Sequence, residues 1–140
     1  MARKPFEFLE HTADIGLRAF GKTLPELYEN AARGMLELLA SPRSVRATEE
    51  EKIEVSGADA VDLLVVWLHE ILYRFDARKR IFADVRVDDF GEWRISATLK
   101  GERLDLSRHE LREEIKAVTY HAARVEKTQE GWVAEVVFDV

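Results

Sequence analysis

The stretch "ADAVDLLVVWLHEILYRFDARKRIFADVRVDDFGEWRISATLKG" (residues 58–101) changes its hydrophobic period once, and that change decides the fold class. Up to Phe75 the apolar residues recur three and four apart. Val61, Leu64, Val65, Leu68, Leu72 and Phe75 form one stripe, widened by Leu63, Val66, Trp67 and Ile71. This spacing predicts a helix over 58–76, and a helix apolar on most sides belongs in a core more readily than on a docking surface. From Ile81 the period becomes two. "IFADVRVDDF", a turn at Gly91 and "EWRISATLKG" then form a hairpin. Between helix and hairpin lie Arg78, Lys79 and Arg80, a solvated turn whose cations suit the C-terminal end of a helix dipole.

Outward from this segment the same reading continues. "TLPELYENAARGMLELLASP" (23–42) is a second helix. Thr23 and Glu26 make a capping box, Pro25 lies in the first turn, and Ser41-Pro42 stop it. Leu24, Leu27, Tyr28, Ala31, Met35, Leu38 and Leu39 share its buried face. "PFEFLEH" (5–11), "IGLRAFG" (15–21) and the acidic, edge-like "TEEEKIEVSG" (48–57) are strands. "LDLSRHELREE" (104–114) is a polar connection, and "IKAVTYHAARVEKT" (115–128) with "WVAEVVFDV" (132–140) forms a last hairpin across "QEG". With no repeat and no linker, residues 1–140 are expected to form one α+β domain, two long helices packed on a mainly antiparallel (mixed) sheet.

Composition removes several functions. A chain of 140 residues buries roughly two-thirds of its unfolded surface unaided. Without cysteine it has no disulfide, thiolate metal site or cysteine nucleophile. The N-terminal "MARKPFEFLE" lacks the apolar core of a signal peptide, and "AVDLLVVWLHEILYRF" (60–75) is too short and too polar to span a bilayer. A cytoplasmic protein without membrane association is therefore expected. The net charge of −6 opposes strong direct nucleic-acid binding, so any action on RNA is expected to pass through a partner.

G-x-S-x-G, P-loop, G-x-G-x-x-G and H-E-x-x-H motifs are all missing. Chemistry-bearing residues cluster instead in "EHTADIG" (10–16), where His11, Thr12 and Asp14 sit between two apolar runs. Asp14 is either a turn residue bonded to its own backbone or a ligand. His69, His109 and His121 have no metal-binding spacing and read as structural residues. In "VVFDV" (136–140), Asp139 and the α-carboxylate of Val140 concentrate negative charge at the end of an apolar strand. A hard cation with oxygen ligands would relieve it, and Asp14 would complete the site. In "KAVTYH" (116–121), alternation puts Lys116, Val118 and Tyr120 on one face and Ala117, Thr119 and His121 on the other. Lys116 with Tyr120, or Thr119 with His121, would then border a polar pocket.

"HTADIGLRAFG", the capped helix "TLPELYENAA", "LDLSRHE", "EEIKAVTYH" and the final Asp-Val occur here in an order that resembles the archeases over essentially the whole length. The resemblance implies a compact α+β domain and a non-enzymatic accessory role for an RtcB-type tRNA-splicing RNA ligase. Such a protein promotes guanylylation of the ligase, restores multiple turnover and broadens its nucleotide specificity. The resemblance also implies a divalent metal held by Asp14, Asp139 and the backbone oxygen of Val140. Calcium is the ion it points to, while magnesium, manganese or zinc also suits the ligand set. Lys116, His11 and His121 become possible functional contacts. A stand-alone metal-dependent phosphoester hydrolase, with His11 or His121 as base, and a general chaperone are the rival readings.

Overall fold

The computed structural model describes residues 4–10 and 13–140. Its strands and helices run β1 (Phe6–Glu10), β2 (Asp14–Gly21), α1 (Leu24–Leu39), β3 (Glu49–Ser56), α2 (Ala60–Asp76), β4 (Arg80–Gly91), β5 (Arg94–Arg103), β6 (Ala117–Thr128) and β7 (Gly131–Asp139). The expected α+β class holds, but the strands form two sheets instead of one. One has the order β1-β2-β7-β6 and the other β3-β5-β4, and every pairing is antiparallel. A strand's period reveals which side chains share a face and nothing about its neighbour, which is why one sheet and two sheets look alike in sequence. The hairpin turn is Glu92-Trp93, the two residues between Gly91 at the end of β4 and Arg94 at the start of β5.

Each helix touches both sheets, α1 against β2 and β4, α2 against β3 and β6. That double contact explains why α2 is apolar on most sides. Leu63, Leu64, Trp67, Leu68 and Ile71 are fully buried, whereas Val61, Val66 and Phe75 at the flanks of the stripe are half-buried. The helix starts are fixed by carboxylate and hydroxyl caps. Glu26 N–H donates to Thr23 Oγ1 at 3.3 Å, and Glu26 Oε1 accepts from Lys22 N–H at 3.4 Å, one residue ahead of the position a reciprocal box would use. At α2, Asp62 N–H donates to Asp59 Oδ1 and Ala58 N–H to Asp62 Oδ2, both at 2.8 Å. α1 ends at Ala40, whose extended backbone stops the helix before Ser41-Pro42.

Two buried polar side chains tie the helices together without leaving a donor unpaired. The Trp67 indole N–H donates to the Tyr28 carbonyl at 2.8 Å, and the Tyr28 hydroxyl donates to the Ala60 carbonyl. Burial, followed by the charge of Asp59, pushes the Tyr28 phenol above its ordinary value. In the smaller sheet, β5 passes so close to β4 at Gly101 that a Cβ there would overlap the Ile81 carbonyl and the Phe82 Cα.

The polar connection 104–114 contains no helix and only an isolated bridge, Leu111 to Ala40. Side chains hold it to β5. Glu102 accepts from the Arg108 guanidinium, from Arg46 N–H at 2.7 Å and from His109 Nε2 at 2.8 Å. His109 Nδ1 accepts from Asp105 N–H at 2.9 Å, which assigns the ring proton to Nε2. His109 is thus a satisfied, buried structural histidine, as its isolated spacing suggested. These donors, Arg108 foremost, hold the Glu102 carboxyl down at about 2 against an ordinary 4.5.

Two outcomes are expected. Gly101→Ala lowers stability by about 1–3 kcal/mol in urea unfolding, because backbone atoms must move to admit the methyl group. Glu102→Gln lowers the melting temperature at pH 7. A carboxylate whose folded pKa is depressed stabilises above its unfolded value and loses that contribution as pH falls through its folded value. The gap between wild type and Glu102→Gln therefore closes between pH 4.5 and about 2, as read by melting curves across that range.

Candidate metal centre

The register of β2 against β7 places Asp14 directly opposite Asp139, and Ala117 of β6 opposite Asp139 on the other side. Side chains directly opposite in an antiparallel pair share a face with Cβ atoms about 5 Å apart. Ile15, Leu17 and Ala19 on β2 pair with Phe138, Val136 and Ala134 on β7 and turn toward the helices. By alternation, Asp14 and Asp139 belong to the opposite, outer face.

The remainder of that outer face shows how this fold ordinarily handles charge. The Arg18 guanidinium donates to Glu7 at 2.9 Å and to Glu135 at 2.8 Å, and Arg124 donates to Glu135 and to Glu126, both at 2.6 Å. Arg124 first and Arg18 second hold the Glu135 carboxyl below the usual carboxylate range. Two rows away, Asp14 and Asp139 oppose each other, and among the described residues no cation pairs with either. Like charges directly opposite are destabilising.

Asp14 Oδ1 is buried and has no hydrogen-bond partner, so the side chain is not spent on a turn through that oxygen. Among the described residues one other buried side-chain atom shares this state, Arg74 Nε, and it lies 3.4 Å from Glu70 Oε1 in an ion pair. Asp14 Oδ1 alone is left with nothing to accept from. Buried polar atoms are almost always satisfied, and an acceptor without a donor beside a second carboxylate is what a cation site provides. The residues therefore fit a hard divalent ion. Among the described residues no three Asp, Glu, His or Cys side chains converge on one point, so further ligands would be backbone oxygens, as expected of Val140. Val140 is half-buried against the core beside Asp139.

The other sequence-derived candidates are dispersed. Lys116 lies just outside β6. Its N–H donates to the Asp139 carbonyl at 2.7 Å, and its exposed ammonium meets no carboxylate among the described residues. Strand alternation holds from Ala117 to Thr119, whose hydroxyl donates to the Val137 carbonyl at 2.8 Å, and then breaks. Tyr120 and His121 fall in a bulge, so neither expected pairing, Lys116 with Tyr120 or Thr119 with His121, lines a common face. His11, like Thr12, lies outside the described residues. The reading of the sequence missed the bond from the Tyr120 hydroxyl to Asp62 Oδ1 at 2.6 Å. The spacing Asp59-x-x-Asp62 signalled the helix cap, but nothing signalled a tyrosine 58 residues away.

Comparison with known proteins identifies the family. The model of the Archease protein family (MTH1598/TM1083) matches residues 6–140. The protein named archease from Methanosarcina barkeri is 40% identical over 141 residues, which span 98% of this chain and 97% of that one. The archease of Thermococcus gammatolerans is 40% identical over 139 residues, with 96% and 98% covered. Among solved structures, protein 1598 of Methanobacterium thermoautotrophicum superposes with a TM-score of 0.81 at 35% identity, covering 97% of this chain and 99% of its own. A Thermotoga maritima protein described as an archease and possible chaperone superposes with a TM-score of 0.70 at 26% identity, covering 100% and 98%. Matched along nearly its whole length by the family model and by these relatives, the chain belongs to the Archease family.

Proposed function

We propose that this archease acts in the cytoplasm as a non-enzymatic activator of an RtcB-type RNA ligase. It promotes guanylylation and multiple turnover of the ligase and broadens its nucleotide specificity, from the metal-binding end formed by Asp14, Asp139 and Val140. The observation that carries this reading is the buried, partnerless Asp14 Oδ1 directly opposite Asp139. A divalent ion bound there, calcium for preference, would supply positive charge for a triphosphate. The protein's own contribution is positional. The β2–β7 pairing holds both carboxylates in one row, and the Lys116 N–H fixes the Asp139 backbone from the β6 side. The Lys116 ammonium, which meets no carboxylate among the described residues, is available to a phosphate or to an acidic group of the ligase. His121 is exposed on β6 and is a further candidate contact for the partner.

The stand-alone hydrolase is the poorer reading. Among the described residues two carboxylates find no third acidic or imidazole side chain to make a catalytic site. Chaperone activity, attributed as possible to the Thermotoga maritima relative, is separable by experiment. A chaperone suppresses aggregation of unrelated proteins, and an activator does not.

The test is transfer of GMP onto an RtcB-type ligase with substoichiometric archease. Wild type accelerates the transfer, and Asp14→Asn reduces the acceleration tenfold or more. Without metal, Asp14→Asn melts no lower than wild type and gains about 0.5 kcal/mol, because the opposed like charges are gone. Calcium raises the melting temperature of wild type and leaves that of the variant unchanged. Full stimulation by Asp14→Asn would remove the metal end from the mechanism. Suppression of aggregation of an unrelated protein, without stimulation of the ligase, would favour the chaperone.

A further inference from the structure

The pairing of β6 with β7 is regular from Ala117 to Thr119 and again from Arg124 to Thr128. Between these segments Tyr120, His121, Ala122 and Ala123 face the single residue Val136. Ala122 has φ of 55°, a left-handed conformation that alanine rarely adopts. β6 is an edge strand of its sheet, and a bulge is one way to blunt an edge against aggregation. Blunting alone does not call for an aromatic ring held outward, which is what this bulge presents. Tyr120 is 58% exposed, and its hydroxyl donates to Asp62 Oδ1 at 2.6 Å. Asp62 is itself immobilised, because Oδ2 accepts from Ala58 N–H and its own N–H donates to the Asp59 cap.

The other exposed aromatic side chains have internal partners. Phe8 packs on Phe6 with ring centroids 5.6 Å apart, and Tyr73 lies under the Arg78 guanidinium at 5.8 Å. Among the described residues the Tyr120 ring meets no other ring and no cation. An exposed aromatic side chain already fixed in orientation loses little conformational freedom on binding, and tyrosines of this kind dominate the energetics of many interfaces. Its position on the strand is also informative. Three residues before Tyr120 on β6, Ala117 opposes Asp139, so the bulge begins after two intervening pairs on the same strand edge.

We infer that the Tyr120–Ala123 bulge, with Tyr120 as anchor, is the docking element that seats the RNA ligase over the Asp14–Asp139 end. The inference rests on the ligase reading above, which supplies the occupant. β6 is the edge strand beside Asp139, so a partner that covers the Asp14–Asp139 end from that side meets the bulge. The partner chemistry that would take the Tyr120 ring is an apolar pocket.

The experiment measures direct binding to the ligase and stimulation of GMP transfer for wild type, Tyr120→Phe, Tyr120→Ala and Asp14→Asn, with calcium affinity and melting temperature for each. Tyr120→Ala is expected to weaken ligase binding at least tenfold. The archease concentration needed for half-maximal stimulation should rise in parallel, with calcium affinity unchanged. Tyr120→Phe keeps the ring and loses only its tether to Asp62, so it falls between the two. Asp14→Asn binds the ligase and fails to stimulate. If Tyr120→Ala binds as wild type does, the docking assignment is wrong and the activator reading survives through Asp14→Asn. If Tyr120→Ala loses calcium affinity and stimulation together, the bulge serves the metal end and not the partner, which also overturns the assignment. If wild type itself does not bind the ligase, the ligase reading falls and takes this occupant with it.

Discussion

The register of β2 against β7 is the constraint on which the rest of the structure depends. It joins the second strand of the chain to the last and sets the core and the candidate site together. Leu17 opposite Val136 and Ile15 opposite Phe138 are buried under the helices, and the same register puts Asp14 opposite Asp139 on the other face. Slipping β7 by one residue would turn Val136 and Phe138 outward and carry Asp139 into the core, and slipping β2 would do the same to Leu17 and Asp14. The apolar residues cannot tolerate that exchange, so the hydrophobic effect holds two carboxylates in opposition at a place where electrostatics alone would separate them.

The outer face of the four-stranded sheet makes this opposition legible. Glu7, Arg18, Glu135, Arg124 and Glu126 form an alternating row across the strands, each charge beside one of opposite sign. Two rows away, Asp14 and Asp139 have no such compensation among the described residues. That contrast, together with the buried unpaired acceptor on Asp14, is what supports the proposed cation at this end.

The helices connect the site to the stability of the molecule. α1 and α2 are fastened to each other through Trp67, Tyr28 and Ala60, and each spans the two sheets. The start of α2 does double duty. Its Asp59–Asp62 cap satisfies the first helical N–H groups and also receives the Tyr120 hydroxyl from the β6 bulge. A surface feature close to the Asp14–Asp139 row is thereby anchored in one of the most regular parts of the fold.

The sequence by itself determined the elements and the residue types of the site. The switch from a helical period to a period of two, the Thr23 cap and the alternation in the two hairpins are local properties, each written within a dozen or so residues. Asp14 and Asp139 were also legible, one from its motif and the other from the charge it brings to an apolar strand end. The tertiary structure decided what local pattern cannot encode. It split the strands into two sheets, because a period of two does not name a strand's neighbour. It put Asp14 opposite Asp139 across 125 positions of chain, which only the β2–β7 pairing could show. It also broke the alternation after Thr119 and tied Tyr120 to Asp62, a contact between a strand and a helix 58 residues apart that no local pattern encodes.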